Sequence, residues 1–199
     1  MTREKISVFP DVRALIFDCD GTLADTMPFH IQAWHDVFVE IGEVPHQEFL
    51  DPLKGLPEER IVALYNQRYG KTLDVLRVVE DKQRRFRKSL PRVRPIRPVV
   101  EVARRHAGRL PMAVVSGGTR DNVLLTLEII GVAPLFPVVL TADDEFPPKP
   151  APDLFLEAAR RLRISPGECQ VFEDGDLGLE AARSAGMIAF DVRPVLGSG

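Results

Sequence analysis

Two aspartates, Asp18 and Asp20, end the apolar run in "VRALIFDCDGTLADT" at residues 12–26. Burying a carboxylate is costly unless it is paired, protonated or bound to a cation. A hydrophobic stretch that stops in two acids therefore implies partners elsewhere. Candidates follow far along the chain: Ser116-Gly117-Gly118 after "MAVV", Lys149 in "KPAPD", and Glu173-Asp174 after "CQVF". Asp18, Asp20, Glu173 and Asp174 make a hard-oxygen set that suits Mg²⁺, an ion that takes one or two carboxylates, waters and a phosphate oxygen. Ser116 and its glycine turn precede a helical pattern, where free backbone N–H groups and the helix dipole favour an anion. Lys149 adds positive charge. A dication, a lysine and a helix N-terminus around an acid nucleophile constitute a phosphoryl-transfer site.

The elements that must position these groups alternate along the chain. Strands are expected at 12–17, 112–116, 137–141, 169–174 and 187–192, with helical periodicity between the later ones. Val123, Leu127 and Ile130 repeat at i, i+4 and i+7, and Gly131 ends that helix. Phe155, Ala158, Ala159 and Leu162 form a stripe after Pro152. Gly178, Ala181, Ala182 and Ala185 give a face small enough for close packing on a sheet. The pattern predicts an α/β fold, a Rossmann-like parallel sheet with helices on both faces in three layers. Ligands in such sheets gather beyond the carboxyl ends of the strands. Asp18, Ser116, Lys149 and Glu173 would meet there.

One segment breaks the alternation. From Met27 to about Leu90 the patterns are helical and no strand is evident. Trp34, Val37, Phe38 and Ile41 form one stripe, Ile61, Leu64 and Tyr65 suggest a second helix after Pro57, and 72–90 suggests a third that ends in the basic run "KQRRFRK". "PRVRPIRP" then places three prolines in eight residues and reads as a stiff connector. The expected organisation is a core of residues 1–26 and 92–199 with a small α-helical insert, 27–91, after the first strand.

Composition excludes several classes. The 199 residues suffice for one domain with a core, or a domain plus a small insert. A net charge of −3, without basic–aromatic interleaving, offers nothing for a nucleic-acid or membrane partner. No apolar run approaches the roughly 20 residues of a membrane span, and "MTREKISVFPDV" lacks a signal peptide's apolar stretch. The expectation is a cytoplasmic protein, by default a monomer, acting on a small molecule. Cys19 and Cys169 are too far apart for a zinc or redox motif and read as buried thiols.

Four motifs, in order, resemble those of the haloacid dehalogenase superfamily of phosphotransferases: "FDCDGTLADT", "VVSGG", "KPAPDLF" and "VFEDGDLGLEAARSAGM". The helical insert resembles the small helical cap of that superfamily, and "FHIQAW" and "LKG" within it resemble the β-phosphoglucomutase-like subgroup. "FEDGDLGLEAARSAGM" followed by "DVR" is similar to the fructose-1-phosphatase type of that subgroup. The resemblance implies that Asp18 attacks phosphorus and forms an aspartyl phosphate, and that Asp20 protonates the leaving oxygen and then activates water. It implies Mg²⁺ held by the Asp18 carboxylate, the Asp20 backbone carbonyl and the Glu173–Asp174 pair, with Asp174 as the direct ligand. Ser116, Gly117, Gly118 and Lys149 would hold the phosphoryl oxygens, and Gly21 and Thr22 would shape the turn after the nucleophile. Gly175 and Pro148 depart from the commoner residues of the motifs without removing a catalytic group.

Within the insert, His30 and Trp34 are one helical turn apart. They read either as packing or, for His30, as a group that faces the site when the cap closes. Lys54 and Gly55 match the cap's substrate-specificity loop, and Lys54 is a candidate substrate contact. Arg120 is either a substrate contact or a solvated first-turn residue. The run from Lys82 to Lys88 reads as a solvated face, with the alternative that one member, Lys82 by register, reaches the site. The expected function is a Mg²⁺-dependent phosphatase for a small phosphorylated metabolite, a sugar phosphate, with a β-phosphoglucomutase as the alternative. A strict dehalogenase is disfavoured by Asp20 and Glu173–Asp174. A phospho-accepting receiver module is disfavoured by Asp20 and the insert.

Overall fold

The computed structural model describes residues 6–43, 47–50 and 56–196. In chain order the elements are β1 (Ala14–Phe17), α1 (Met27–Glu40), α2 (Gln47–Leu50), α3 (Glu58–Tyr69), α4 (Val75–Ser89), α5 (Arg97–His106), β2 (Met112–Val115), α6 (Arg120–Ile129), β3 (Val138–Leu140), α7 (Asp153–Leu162), β4 (Cys169–Glu173), α8 (Asp176–Ser184), β5 (Ile188–Asp191) and α9 (Arg193–Leu196). The five strands form one sheet in the order β3-β2-β1-β4-β5, and every pairing is parallel. Wholly parallel sheets need both faces covered. Alternation along β1 supplies that: Leu15 and Phe17 pack with Val99 and Ala103 of α5 and Leu127 of α6, while Ala14 and Ile16 pack with Phe155 and Ala158 of α7 and Ala181 of α8. The three-layer α/β architecture is the expected one, with β1 at its centre.

The connector after the third helical pattern holds a helix that the prolines conceal. "PRVRPIRP" begins as a single 3₁₀ turn at Leu90–Arg92, but α5 starts at Arg97 with Pro98 in its first turn. Proline is tolerated there because that N–H has no intrahelical partner. Val99, Val100, Val102 and Ala103 of α5 are buried.

Helices α1–α4 stand between β1 and α5 and have an apolar cluster of their own, built on Trp34, Val37, Phe38, Ile61, Val62 and Tyr65. Ile41 does not join the stripe expected of it. It caps the C-terminus of α1 and is 39% exposed. The chain enters and leaves this insert through two hydrogen-bonded segments. Ile96 N–H donates to the Leu23 carbonyl (2.8 Å), Asp25 N–H donates to the Arg94 carbonyl (2.9 Å), and Ala24 faces Pro95 in antiparallel pairing. Among the described residues no helix is long and apolar enough to cross a membrane. Cys19 and Cys169 are buried free thiols.

Candidate active site

Central position in the sheet decides what β1 can deliver. The Asp18 N–H donates to the Phe172 carbonyl (3.0 Å), so the chain is still held by β4 one residue past the strand. The Asp18 carboxylate is then buried, 5% exposed, beside the end of β4. Lys149 reaches it from the loop before α7. Its Nζ donates to Asp18 Oδ1 (2.9 Å), Glu173 Oε1 (2.9 Å) and the Val115 carbonyl (3.2 Å). Burial works against the ammonium charge, but Asp18 and Glu173 outweigh it and hold the lysine above its ordinary value. Burial, then the Glu173 charge, pushes the Asp18 carboxyl well up, with Lys149 opposing.

Glu173 is fixed on both oxygens. Its Oε2 accepts from the backbone N–H groups of Asp174 (2.8 Å) and Gly175 (3.2 Å). A Cβ at position 178 would lie 1.6 Å from Glu173 Oε1, so glycine in α8 is what lets the carboxylate lie against the helix. Asp174 Oδ1 accepts from Thr22 Oγ1 (2.8 Å). The turn that brings Thr22 there needs Gly21, whose φ is +87° and whose added Cβ would stand 2.3 Å from Asp174 Oδ2. Burial, then Glu173, raises the Asp174 carboxyl to about 6. Asp18, Glu173 and Asp174 each offer an oxygen, and these lie within 4.8 Å of one another. With Glu173 occupied by Lys149 and two amides, Asp174 is the freer acid.

Asp20 faces a different set of groups. Its Oδ1 accepts from Thr26 Oγ1 (2.7 Å) and pairs with His30 Nε2 (3.3 Å), and its Oδ2 accepts from Ser116 Oγ (3.3 Å). Burial alone would raise this carboxyl, but hydrogen bonds from His30 and Thr26 and the nearby Lys82 charge hold it below its ordinary value. Ser116 Oγ in turn accepts from the Gly118 N–H (3.0 Å). An added Cβ at Gly118 would come within 3.3 Å of Asp20 Oδ2.

His30 carries the insert into the site. Lys82 Nζ sits 2.7 Å from His30 Nδ1. An ammonium only donates, so Nδ1 accepts and the ring proton lies on Nε2, directed at Asp20. Burial, then the Lys82 charge, lowers the imidazole below its ordinary value. It stacks on Phe86 at 3.8 Å between centroids. Lys82 is itself 1% exposed, bonded to Glu58 and lying over the Trp34 and Phe86 rings. The basic run is therefore not a wholly solvated face. A continuous chain, Glu58–Lys82–His30–Asp20–Ser116, links insert to sheet.

The sheet and insert enclose a cavity of about 140 Å³ lined by Asp18, Asp20, His30, Lys82, Ser116, Gly117, Gly118, Lys149, Glu173 and Asp174, with Met27, Ile31, Trp34, Leu56 and Ile61 on the insert side. Arg120 is not among its lining residues. Its guanidinium goes to Asp144 (2.6 Å) and the Val139 carbonyl (3.4 Å). Lys54 and Gly55 lie outside the described residues. Glu58, Thr26 and Gly178 carry roles that sequence reasoning missed. Glu58 looks like an ordinary first-turn acid stabilised by the helix dipole. Gly178 had a signal, since glycine inside a helix is unfavourable by roughly 1 kcal/mol relative to alanine and marks a close approach.

Comparison with known proteins accords with this geometry. Residues 15–192 match the haloacid dehalogenase-like hydrolase family. The chain is 39% identical over 180 residues to fructose-1-phosphate phosphatase YqaB of Escherichia coli, covering 90% of this chain and 95% of that protein. It is 25% identical over 197 residues to a β-phosphoglucomutase of Bacillus subtilis, covering 94% of this chain and 87% of that protein. In fold it resembles the crystal structure of CbbY from Rhodobacter sphaeroides in complex with phosphate, with a TM-score of 0.78 at 24% identity over 89% of this chain and 84% of that one. With its acids, lysine and serine gathered at the carboxyl rim of the sheet, the chain belongs to the haloacid dehalogenase-like hydrolase family.

Proposed function

We propose that this enzyme is a Mg²⁺-dependent phosphatase that hydrolyses a small phosphorylated metabolite, a sugar phosphate, through an aspartyl phosphate on Asp18. The observation that carries this reading is the division of labour between two aspartates of one motif. Asp18 lies against Lys149 and the metal-competent acids, whereas Asp20 lies against Ser116, Thr26 and His30. Two carboxyl groups held in unlike environments are how a site assigns nucleophile and acid–base roles.

The residues fit Mg²⁺. Three carboxylates cluster around a lysine that bonds two of them, Asp18 and Glu173. Burial and mutual repulsion push Asp18 and Asp174 up, an excess of negative charge that a hard dication offsets. Asp18, Asp174 and the Asp20 backbone carbonyl would hold it, with Glu173 behind. When bound, it would neutralise charge on the phosphoryl oxygens.

An Asp18 oxygen forms a bond to phosphorus as the bond from phosphorus to the ester oxygen breaks, and Asp20 supplies the leaving oxygen's proton. The arriving phosphate dianion raises the Asp20 carboxyl from its resting value and makes that donation possible. Water then attacks the aspartyl phosphate, Asp20 takes its proton, and Asp18 is released. Ser116, Lys149 and the Gly117–Gly118 backbone hold the phosphoryl oxygens. The insert, residues 27–91, acts as a cap that excludes bulk water.

The Escherichia coli relative favours hydrolysis, and the Bacillus subtilis relative favours return of the phosphoryl group to a second hydroxyl. Incubation with Mg²⁺ and either fructose 1-phosphate or β-glucose 1-phosphate decides between them. Free phosphate is expected. Glucose 6-phosphate without free phosphate would make the enzyme a mutase. Asp18→Asn should abolish turnover with the fold intact, and wild-type turnover in that variant would refute the mechanism.

A further inference from the structure

Arg120 opens α6 just behind the Ser116–Thr119 turn, yet it does not line the cavity over the site. Its side chain runs to a different loop. One guanidinium nitrogen donates to Asp144 Oδ2 (2.6 Å) and another to the Val139 carbonyl (3.4 Å). The Arg120 backbone N–H donates to Asp143 Oδ2 (2.7 Å). Two backbone bonds run alongside, from the Ser116 N–H to the Leu140 carbonyl (3.0 Å) and from the Ala142 N–H to the Gly118 carbonyl (3.0 Å). The turn after β2 is thus stitched to the end of β3 and the residues that follow it.

That same stretch goes on to deliver Lys149. Residues 141–152 join β3 to α7 with no helix or strand of their own, and irregular connections of such length usually carry function. Asp144 is where this one is gathered. Its Oδ2 also accepts from the Thr141 N–H (2.9 Å) and Thr141 Oγ1 (3.3 Å), and its Oδ1 lies 3.6 Å from the Arg161 guanidinium of α7. One carboxylate therefore ties together the start of α6, the end of β3 and α7. Beyond it Glu145, Phe146, Pro147 and Pro148 are exposed, and Lys149 is buried again. Among the described residues Asp144 is the last side chain before the lysine that makes a hydrogen bond or ion pair.

We propose that Arg120 and Asp144 are positioning residues: their ion pair holds the Lys149 segment in register with the Ser116–Gly118 loop, so that donors from two separate loops converge on one phosphoryl group. The inference rests on the phosphatase reading. Neither residue touches the reacting atoms. Ground-state binding can draw on either loop, whereas the transition state needs both sets of donors in place at once, and small misplacements there are costly. Loosening the pair therefore costs rate rather than affinity.

Steady-state kinetics on p-nitrophenyl phosphate with Mg²⁺ test this in wild type, Arg120→Met and Arg120→Lys. Arg120→Met keeps the backbone bond to Asp143 and leaves Asp144 with Thr141 and Arg161. Its kcat should fall about tenfold with KM within about twofold. Arg120→Lys, which retains a cationic donor for Asp144, should recover most of that loss. An unchanged kcat, a change in KM alone, or a lysine variant no better than the methionine one would overturn the inference. Hydrogen–deuterium exchange of the three metal-free proteins supplies a readout apart from activity. Residues 141–149 should exchange about fivefold faster in Arg120→Met than in wild type, with β1 and β4 unchanged. Equal exchange there, or faster exchange throughout the chain, would count against the pair as a local clamp. If the wild type hydrolyses no ester, the phosphatase reading fails by itself. The exchange comparison then decides whether Arg120 holds the Lys149 segment: faster exchange confined to 141–149 supports the clamp, and any other pattern removes it.

Discussion

Lys149 of the sheet and Lys82 of the insert are both buried ammonium groups, each clamped between hydrogen-bonding partners and laid over aromatic rings. Lys149 bridges Asp18 and Glu173 above Phe155. Lys82 bridges Glu58 and His30 beside Trp34 and Phe86. Burial of a charge is tolerable only with such pairing. The difference lies in what each clamp holds. Lys149 contacts Asp18 directly, and its anchors, Val115 and Glu173, end β2 and β4, the strands on either side of β1. Among the described residues Lys82 makes no hydrogen bond or ion pair with the sheet. It fixes the tautomer of His30, and His30 reaches Asp20. The sheet's lysine sets charge at the reacting centre, whereas the insert's lysine makes the state of Asp20 depend on where the insert is.

The strongest way to break this comparison is Lys149→Met. It strips Asp18 and Glu173 of their shared cation, and kcat on p-nitrophenyl phosphate should fall by about 10³-fold, the size of losing a main electrostatic contact. Lys82→Met should fall short of that, by about 10- to 100-fold in kcat, and should shift the pH–rate profile because His30 loses the donor that fixes its proton. Equal losses in the two variants would mean that both lysines act at the reacting centre. Lys82→Met should also lower stability in urea unfolding, since Glu58 loses its cation and keeps only the Gln83 amide. Adding Glu58→Gln should return part of that, a non-additivity seen in a double-mutant cycle.

Gly178→Ala is a subtler test on the sheet side. The new methyl group cannot coexist with Glu173 in place, so the Mg²⁺ concentration for half-maximal activity should rise about tenfold. The smallest effect is the pH response of the insert. Burial, then Lys82, holds His30 below the ordinary imidazole value. Between that lowered value and the ordinary one the unfolded chain binds more protons, so stability is present at neutral pH and declines as pH falls through the window. Asp18 and Asp174, raised by burial, stabilise the metal-free fold as pH falls through the same window, so the His30 contribution is read as a difference. Between pH 7 and pH 5 the urea midpoint of wild type should change less favourably than that of His30→Gln. An identical slope would place the titration elsewhere.

The sheet and the gathering of the candidate site were largely legible in the sequence because strand ends and the candidate polar groups are neighbours in the chain. Asp18, Ser116 and Glu173 follow their apolar runs within a residue, and the parallel topology brings those runs together. The insert was legible as helices but not as a network. Glu58, Lys82 and His30 come from three helices, and their meeting depends on packing that no local spacing encodes. Lys82 could be aimed at the site by register, yet its partner Glu58 had no distinguishing pattern. Helix α5 was hidden for a local reason, since the prolines that suggest a connector also include a favourable first-turn residue.

The paired segments at Leu23–Asp25 and Arg94–Ile96 have a consequence for the size of the insert. Entry and exit strands of the insert run side by side, roughly 5 Å apart. To the sheet, everything between them is a hairpin loop, and doubling the length of a loop changes its closure free energy by only ~0.6 kcal/mol. Insert size is thus nearly invisible to the stability of the catalytic half. The helices over the site can therefore be lengthened, shortened or replaced at little cost to the sheet beneath.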